Sequence, residues 1–414
     1  MEPHLMILYF SLFISLFFEV FLLITYIEVR GQIKLEDKWT TKSPKDLPTV
    51  TVIIPCFNEE KTVIRTVESV LGLDYPREKL FLILVNDGSN DGTLAALNKF
   101  GSLPNVMIIN KENGGKHTAV NAALEHVHTD LVGCLDADSF VSQDALEKII
   151  PYFDDHSVMA VTPSIKVYEP NSFLQYIQKM EYSWSIFLRR MLASLGALYV
   201  TPGPFSIFRS RVFKELGGYK YAHMTEDMEM AMRMQKHRYK IVNSHGAHVY
   251  TVTPATLKGL IKQRSRWAYG FLNNAFDYRE LFFKKRHGHF GMFIMPIAVV
   301  STFTSFVIVS NVIRGGMIKG MELITRYQAV GLNWNMSLPS FDWYFINTGT
   351  LTFVVMTALV LTLAIIYLAL RLSEGKFELS RSLFYYLFVY AFLTPLWLIK
   401  ALFDIVARRK VTWR

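Results

Sequence analysis

The chain has 414 residues, 51% of them apolar and 14% aromatic, and its Lys and Arg outnumber Asp and Glu by 44 to 35. That length holds one soluble domain of ordinary size plus several membrane segments, and so high an apolar fraction implies surface facing lipid. The basic excess forms no stripe interleaved with aromatics, which argues against a nucleic-acid footprint, and two isolated cysteines, Cys56 and Cys134, argue against a disulfide framework or a cysteine zinc site and suit a reducing cytosol.

Leu5 to Ile27 is almost wholly apolar and long enough to span a bilayer. It has no basic n-region before it and no small-residue cleavage site after it, so it reads as an anchor rather than a removed signal peptide. Arg30, Lys34, Lys38 and Lys42 follow and place the next segment in the cytosol. Glu19 lies inside the run, where an ionisable group costs a few kcal/mol unless paired or wet. It either faces a polar path between helices or pairs with a polar neighbour for packing alone.

From Pro48 to about Val161, short β-branched runs alternate with stretches of helical spacing. Strands are expected over Thr49–Pro55, Leu80–Val85, Val106–Ile109 and Leu131–Leu135, and helices over Glu60–Leu71, Thr93–Phe100 and Lys116–His126. The fold class is therefore α/β, a Rossmann-like, mostly parallel sheet covered on both faces. Ligands of such sheets sit beyond the carboxyl ends of the strands. Asn58, Asp87 and Asp136 all follow strand ends, so one nucleotide site on one sheet edge is expected.

Beyond Val161 the pattern loosens. Thr201 to Phe208 reads as a Gly/Pro turn feeding a strand, and Asp227 to Lys236 as a helix. Thr256 to Phe271 reads as a basic amphipathic helix lying along a membrane surface, or else as a domain helix with a solvated basic face. Phe290–Ile313, Phe345–Leu370 and Leu383–Ala407 are each long enough to span. Lys284-Lys285-Arg286, and Arg371 with Lys376 and Arg381, fit cytosolic flanks, whereas Arg408-Arg409-Lys410 would fall outside after a fourth crossing. Pro395 predicts a kink, with the half after it turning back or lying at the cytosolic interface. The expected organisation is a membrane helix over 1–28, a cytosolic linker over 29–47, a catalytic domain over 48–253, interface helices over 254–289 and a membrane region over 290–414.

Asp87, in its Asn-Asp-Gly-Ser turn, suits hydrogen bonds from a uracil or ribose, although Asp-Gly turns are common. Asp136-Ala137-Asp138 is more specific, because two carboxylates at a strand end repel. A divalent cation resolves the repulsion and bridges to a diphosphate, and Mg²⁺ or Mn²⁺ suits such oxygen ligands; the competing reading is a solvated acidic turn. Asn113-Gly114-Gly115-Lys116-His117 opens a helix whose amides and Lys116 suit phosphate or base. It is not a P-loop, and no GxGxxG follows a strand, so neither ATP hydrolysis nor hydride transfer is supported. His117 reads as a hydrogen-bonding residue rather than a base. Thr225-Glu226-Asp227 either caps a helix with acidic residues at its positive end or supplies Asp227 as a general base for an acceptor hydroxyl, worth roughly 10²–10⁴ in rate. Gln263 and Trp267 are spaced i, i+4 on one helix face, with Arg266 beside it. Arginine suits a leaving diphosphate, and an indole face suits a pyranose ring.

Taken in order, Pro55-x-x-Asn58-Glu59, Asn86-Asp87-Gly88-Ser89, Gly115-Lys116, Asp136-x-Asp138, Thr225-Glu226-Asp227 and Gln263-x-x-Arg266-Trp267 resemble the family 2 glycosyltransferases. The likeness is to the membrane-embedded processive branch that includes cellulose, hyaluronan and poly-N-acetylglucosamine synthases. The short length, the single N-terminal span and Lys410-Val411-Thr412-Trp413 look most like the bacterial poly-β-1,6-N-acetylglucosamine synthases of biofilm formation. The resemblance implies a nucleotide-sugar domain of the GT-A type. It implies donor contacts from Pro55, Asn58, Glu59, Asp87, Lys116 and Asp136, with Asp87 on the uridine. It puts Mg²⁺ or Mn²⁺ on Asp136 and Asp138, makes Asp227 the base, and gives the acceptor and diphosphate to Glu226, Gln263, Arg266 and Trp267.

The implied activity is an inverting, metal-dependent hexosyl transfer from UDP-N-acetylglucosamine onto a growing β-linked polysaccharide, coupled to export. The implied setting is multi-pass in the cell membrane with the catalytic domain cytosolic. Membrane lipid and a small accessory membrane subunit are the expected partners, and nucleic acid is not. UDP-glucose and UDP-glucuronate compete as donors. A hyaluronan- or cellulose-like synthase, a non-processive glycolipid transferase and a catalytically silent binding subunit compete as functions. The chain departs from the family in carrying Asn86-Asp87 where two Asp are frequent, and in showing no added regulatory domain and no clear counterpart of the cellulose synthase gating loop.

Overall fold

The computed structural model of the chain describes residues 3–36, 47–330, 349–407 and 409. The N-terminal apolar run is one helix, α1 (Pro3–Glu36). At 1.5 Å per residue it extends about 50 Å, beyond the ~30 Å of hydrocarbon. Its excess length carries Glu36 onto the next domain, where the buried carboxylate meets Arg190 at 2.7 Å and accepts a hydrogen bond from the Tyr152 hydroxyl at 2.7 Å. Lys38 and Lys42 lie outside the described residues.

β1 (Val50–Cys56), α2 (Val63–Leu71), β2 (Leu80–Asp87), α3 (Thr93–Asn98), β3 (Val106–Lys111), α4 (Lys116–Leu124) and β4 (Leu131–Cys134) alternate as the β-branched runs predict. Their strands pair in parallel, with β1 between β2 and β4 and β3 outside β2. β5 (Ser139–Val141), α5 (Ala145–Ile149), β6 (Val158–Val167), α6 (Phe173–Ser194), β7 (Ser206–Arg209), α7 (Arg211–Leu216), α8 (Glu226–Lys236) and β8 (Lys240–Thr251) complete the domain. The eight-stranded sheet has the order β3-β2-β1-β4-β7-β6-β8-β5. The second half is mixed rather than parallel: β7 runs antiparallel to β4 and β6, and β5 antiparallel to β8. The Thr201–Phe205 turn returns the chain to the carboxyl end of β4, where the Phe205 amide donates to the Cys134 carbonyl, so the next strand has to run backwards.

The loosened pattern after Val161 conceals α6, a 22-residue helix opened by a reciprocal Ser172–Gln175 capping box. Its inward side carries Gln175, Gln178, Ser183 and Arg190 among the apolar residues, which erases the apolar stripe. Phe187 and Met191 pack with Leu22 of α1 and Ile365, so α6 joins the domain to the apolar helices.

α9 (Leu257–Asp277), α10 (Met295–Val330), α11 (Thr350–Glu374), α12 (Arg381–Tyr385) and α13 (Ala391–Val406) follow. Among the described residues, four stretches are long and apolar enough to cross a membrane: Met6–Glu36, Phe290–Ala329, Thr350–Glu374 and Arg381–Val406. Phe345, the expected start of the third, lies outside the described residues. α13 runs unbroken through Pro395. A π turn over Tyr386–Tyr390 precedes it, so the amide that proline lacks falls where the hydrogen-bond ladder changes pitch. Of the final basic triplet only Arg409 is described, its amide donating to the Asp404 carbonyl at 2.9 Å. Glu19 joins α1 to α11, accepting from the Thr362 hydroxyl at 2.6 Å, while its second oxygen is enclosed without a partner. The basic face expected on α9 is divided. Lys258 and Lys262 are exposed, Arg264 and Arg266 turn inward, and Leu260 packs on Trp397 and Leu398 of α13.

Candidate active site

β1, β2 and β4 end at one sheet edge, and the loops leaving them build the first half of the site. Asn58 (φ +56°) ties two of these loops together: its amide donates to Ser89 Oγ at 3.0 Å and its Oδ1 accepts from the Asn90 amide at 2.8 Å. The Glu59 amide donates to Thr93 Oγ1 at 2.8 Å. Asp87, buried at the end of β2, accepts from the Gly114 and Gly115 amides at 3.1 and 2.9 Å and pairs with Lys111 at 2.6 Å. The protein thus already engages both Asp87 oxygens, and Asp87 fixes the loop that opens α4. Gly88 (φ +72°) is required there, since a Cβ would lie 2.6 Å from the Asn113 amide nitrogen.

Lys116, at the start of α4, pairs with Asp136 and lies 3.6 Å from Glu226. Burial opposes its charge, but those carboxylates outweigh it and hold the ammonium well above the usual lysine range. Burial, then Asp136 and Glu59, pushes Asp138 up to about 7. Among the described residues no three His, Cys, Asp or Glu side chains converge into a metal-binding group. Asp136 and Asp138 are nevertheless a crowded pair of hard oxygen donors, which fits a cation that takes its other ligands from diphosphate and water. A cavity of about 490 Å³ opens over these loops, lined by Pro55, Glu59, Asp87, Lys116, Asp136 and Asp138 but not by Asn58.

A second cavity, of about 370 Å³, adjoins the first. Lys116, Asp136, Asp138, Met224 and Glu226 line both. Asp227, Gln263, Arg266 and Trp267 face only the second, opposite Tyr182, Ser185 and Arg189 of α6. Burial, then the neighbouring Glu226 charge, pushes Asp227 up to about 6. The approach to α8 is strained: Ala222, His223 and Met224 have φ of +40°, +54° and +68°, at about 1–3 kcal/mol per residue. α9 holds this turn in place. Arg266 donates to the Met224 carbonyl at 3.0 Å, and Asn274 donates to Thr225 Oγ1 at 2.9 Å. Trp267 carries the Arg264 guanidinium 4.1 Å from its ring centroid, and Arg264 pairs with Glu181 at 2.8 Å and with Gln263 at 3.0 Å. Gly203 brings the 201–205 turn against the same centre, where a Cβ would lie 2.6 Å from Lys116 Nζ.

The structure therefore gathers every expected site residue around two joined cavities, with Asn58 set back as a tie between loops. Sequence reasoning missed Glu181, Arg189, Gly270 and Asn274 as parts of the site, and it named Thr225 only within its motif. The spacing 263-267-270-274 signals one continuous face of α9. The α6 residues have no comparable signal.

Residues 48–270 match the glycosyltransferase like family 2. A poly-β-1,6-N-acetyl-D-glucosamine synthase of Staphylococcus aureus (strain COL) is 33% identical over 228 residues, covering 54% of this chain and 55% of that protein. The synthase of Staphylococcus epidermidis is 32% identical over 224 residues, covering 53% and 54%. The chain thus aligns with about half the length of the curated relatives it matches. Among solved structures, a mannosyltransferase from Pyrobaculum calidifontis in complex with GDP-Man and Mn²⁺ superposes with a TM-score of 0.58 at 18% identity, covering 95% of this chain and 99% of that one. At that identity the likeness establishes the fold alone, a GT-A sheet with long apolar helices beside it.

Proposed function

The chain belongs to the glycosyltransferase like family 2, and on that premise we propose that it transfers N-acetylglucosamine from UDP-N-acetylglucosamine, with inversion, onto a growing β-linked polysaccharide. The observation that carries this reading is the junction of a donor-sized and an acceptor-sized cavity at Lys116, Asp136 and Glu226, with Asp227 on the acceptor side. The staphylococcal relatives, named for poly-β-1,6-N-acetylglucosamine synthesis, support the choice of donor and product.

The uridine lies over the loops after β1 and β2, within reach of Pro55, Glu59 and Asp87, and Asn58 holds those loops together. Lys116 and Arg266 face the diphosphate from two sides. Asp136 and Asp138 would hold Mg²⁺ or Mn²⁺, which would supply positive charge against the leaving UDP. Asp227 is a stronger base than an ordinary aspartate yet ionised at neutral pH. It takes the proton of the acceptor hydroxyl as that oxygen attacks the anomeric carbon from the face opposite UDP. The new C–O bond forms as the bond to UDP breaks, and the product is β. Trp267 offers its ring to the acceptor sugar, and Glu226 and Gln263 complete the wall.

The four long apolar helices support a multi-pass setting in the cell membrane, in which residues 48–253 would be a cytosolic transferase domain, 254–289 would lie at the interface, and a small accessory membrane subunit is a candidate partner in export. The test is protein purified in detergent, offered UDP-N-acetylglucosamine, UDP-glucose and UDP-glucuronate with Mn²⁺, with UDP release, product length and linkage measured. A β-linked N-acetylglucosamine polymer is expected. A single-sugar glycolipid product replaces this reading with its nearest rival, and no turnover of any donor removes it.

A further inference from the structure

Arg189 stands on the side of α6 that faces the second cavity, in line with Tyr182 and Ser185. Its Nε is fully enclosed and has no hydrogen-bond partner. Burial pushes the guanidinium down to about 10, opposed only by the Tyr182 hydroxyl, so no carboxylate of the cavity compensates the charge. Arg190, Arg233 and Arg264 share the unbonded Nε but each pairs its guanidinium with a carboxylate, Glu36, Glu229 and Glu181 respectively, and Arg189 has no such pair among the described residues. Arg189 is half-buried with its Nε enclosed, and a cation so placed without a protein partner carries a desolvation cost. A ligand oxygen removes that cost.

The lining identifies the ligand. Tyr182, Tyr199 and Trp267 present ring surface to the cavity. Asp136, Asp138, Glu226 and Asp227 make it rich in negative charge, which disfavours a second anion beside the diphosphate. A neutral sugar with several oxygens at its edge suits both features, and the guanidinium fork matches adjacent oxygens better than a point charge. We propose that Arg189 contacts the acceptor glycan, donating hydrogen bonds to hydroxyl or acetamido oxygens of the sugar seated against Trp267. The proposal rests on the transferase reading above.

The test uses the full chain in detergent, UDP-N-acetylglucosamine as donor and a short β-linked N-acetylglucosamine oligosaccharide as acceptor, with Arg189→Met and Arg189→Lys. Loss of a charged hydrogen bond raises the acceptor KM of Arg189→Met by about ten- to a hundredfold while the donor KM holds. Arg189→Lys recovers part of the loss. The thermal midpoint of Arg189→Met stays level or rises, because an unpaired, half-buried charge has gone. An unchanged acceptor KM overturns the proposal. So does a lowered midpoint with kcat and both KM values altered together, which marks a structural arginine, and so does a loss confined to transfer onto a phosphate-bearing lipid. Wild-type protein that releases UDP from no UDP-sugar removes instead the reading on which the proposal stands.

Discussion

Gly270→Ala probes the seat of α9 against the turn that leads to Asp227, the proposed base. A Cβ at Gly270 would fall 2.2 Å from Thr225 Oγ1, 2.4 Å from its Cγ2 and 2.8 Å from its Cβ. Carbon contacts are comfortable only from about 3.5 Å, and both branches of Thr225 point at the intruding methyl. Rotating the side chain exchanges one clash for another and breaks the bond from Asn274. α9 therefore has to back away, by roughly 1 Å. For stability, overpacking at about 1–3 kcal/mol is set against the ~1 kcal/mol that alanine returns over glycine in a helix, leaving a loss of about 0–2 kcal/mol. Catalysis has no such offset. Arg266 and Trp267 lie one turn before Gly270 and move with the helix, while Asp227 stays with α8. A misplacement of about 1 Å costs on the order of a hundredfold. UDP release by purified protein at saturating donor should fall by that factor. UDP binding by calorimetry should persist, because the donor loops hang from β1, β2 and β4. Adding Thr225→Ala should restore part of the rate, since it removes the two closest atoms. Wild-type turnover in Gly270→Ala would refute the claim that this contact sets the geometry.

Asp227→Asn should lower transfer by about 10²–10⁴ or more and leave UDP affinity intact; turnover that survives in a calorimetrically normal variant rules Asp227 out as the base. Because the Asp227 carboxyl is pushed up to about 6 by burial and Glu226, transfer should decline as pH falls through that value and the base takes up its proton. Glu226→Gln removes the like charge and should move this acidic limb to lower pH in the rate profile; a limb that stays put belongs to another group. Chelation with EDTA should stop UDP release, and Mn²⁺ or Mg²⁺ should restore it, whereas undiminished turnover in EDTA would detach Asp136 and Asp138 from any metal role.

The donor half was legible because each chemical residue punctuates a strand. A β-branched run that stops at Asn-Asp-Gly or Asp-Ala-Asp announces the element and the group at its end in the same few residues. What the sequence concealed was the partner. Asp87 reads as an acceptor awaiting a nucleotide, yet its oxygens are met by the Gly114 and Gly115 amides and by Lys111, residues brought to it by the parallel pairing of β2 with β3. The reversal at β7 was hidden for a related reason, since a turn of Gly and Pro shows where the chain bends but not which end of the sheet it re-enters.

The acceptor half was less legible because its second wall violates the pattern that reveals helices. One side of α6 carries Tyr182, Ser185 and Arg189 into the cavity, while Phe187 and Met191 pack on Leu22 and Ile365. A helix with one face on a polar cavity and another on apolar spans shows no single apolar stripe. The same double contact gives the long apolar helices a second role. Moving α1 or α11 displaces the helix that shapes the acceptor cavity, and α13 bears in the same way on α9, which carries Trp267. The apolar helices are thus packed into both walls of the second cavity, so its shape is a property of those helices and the domain together.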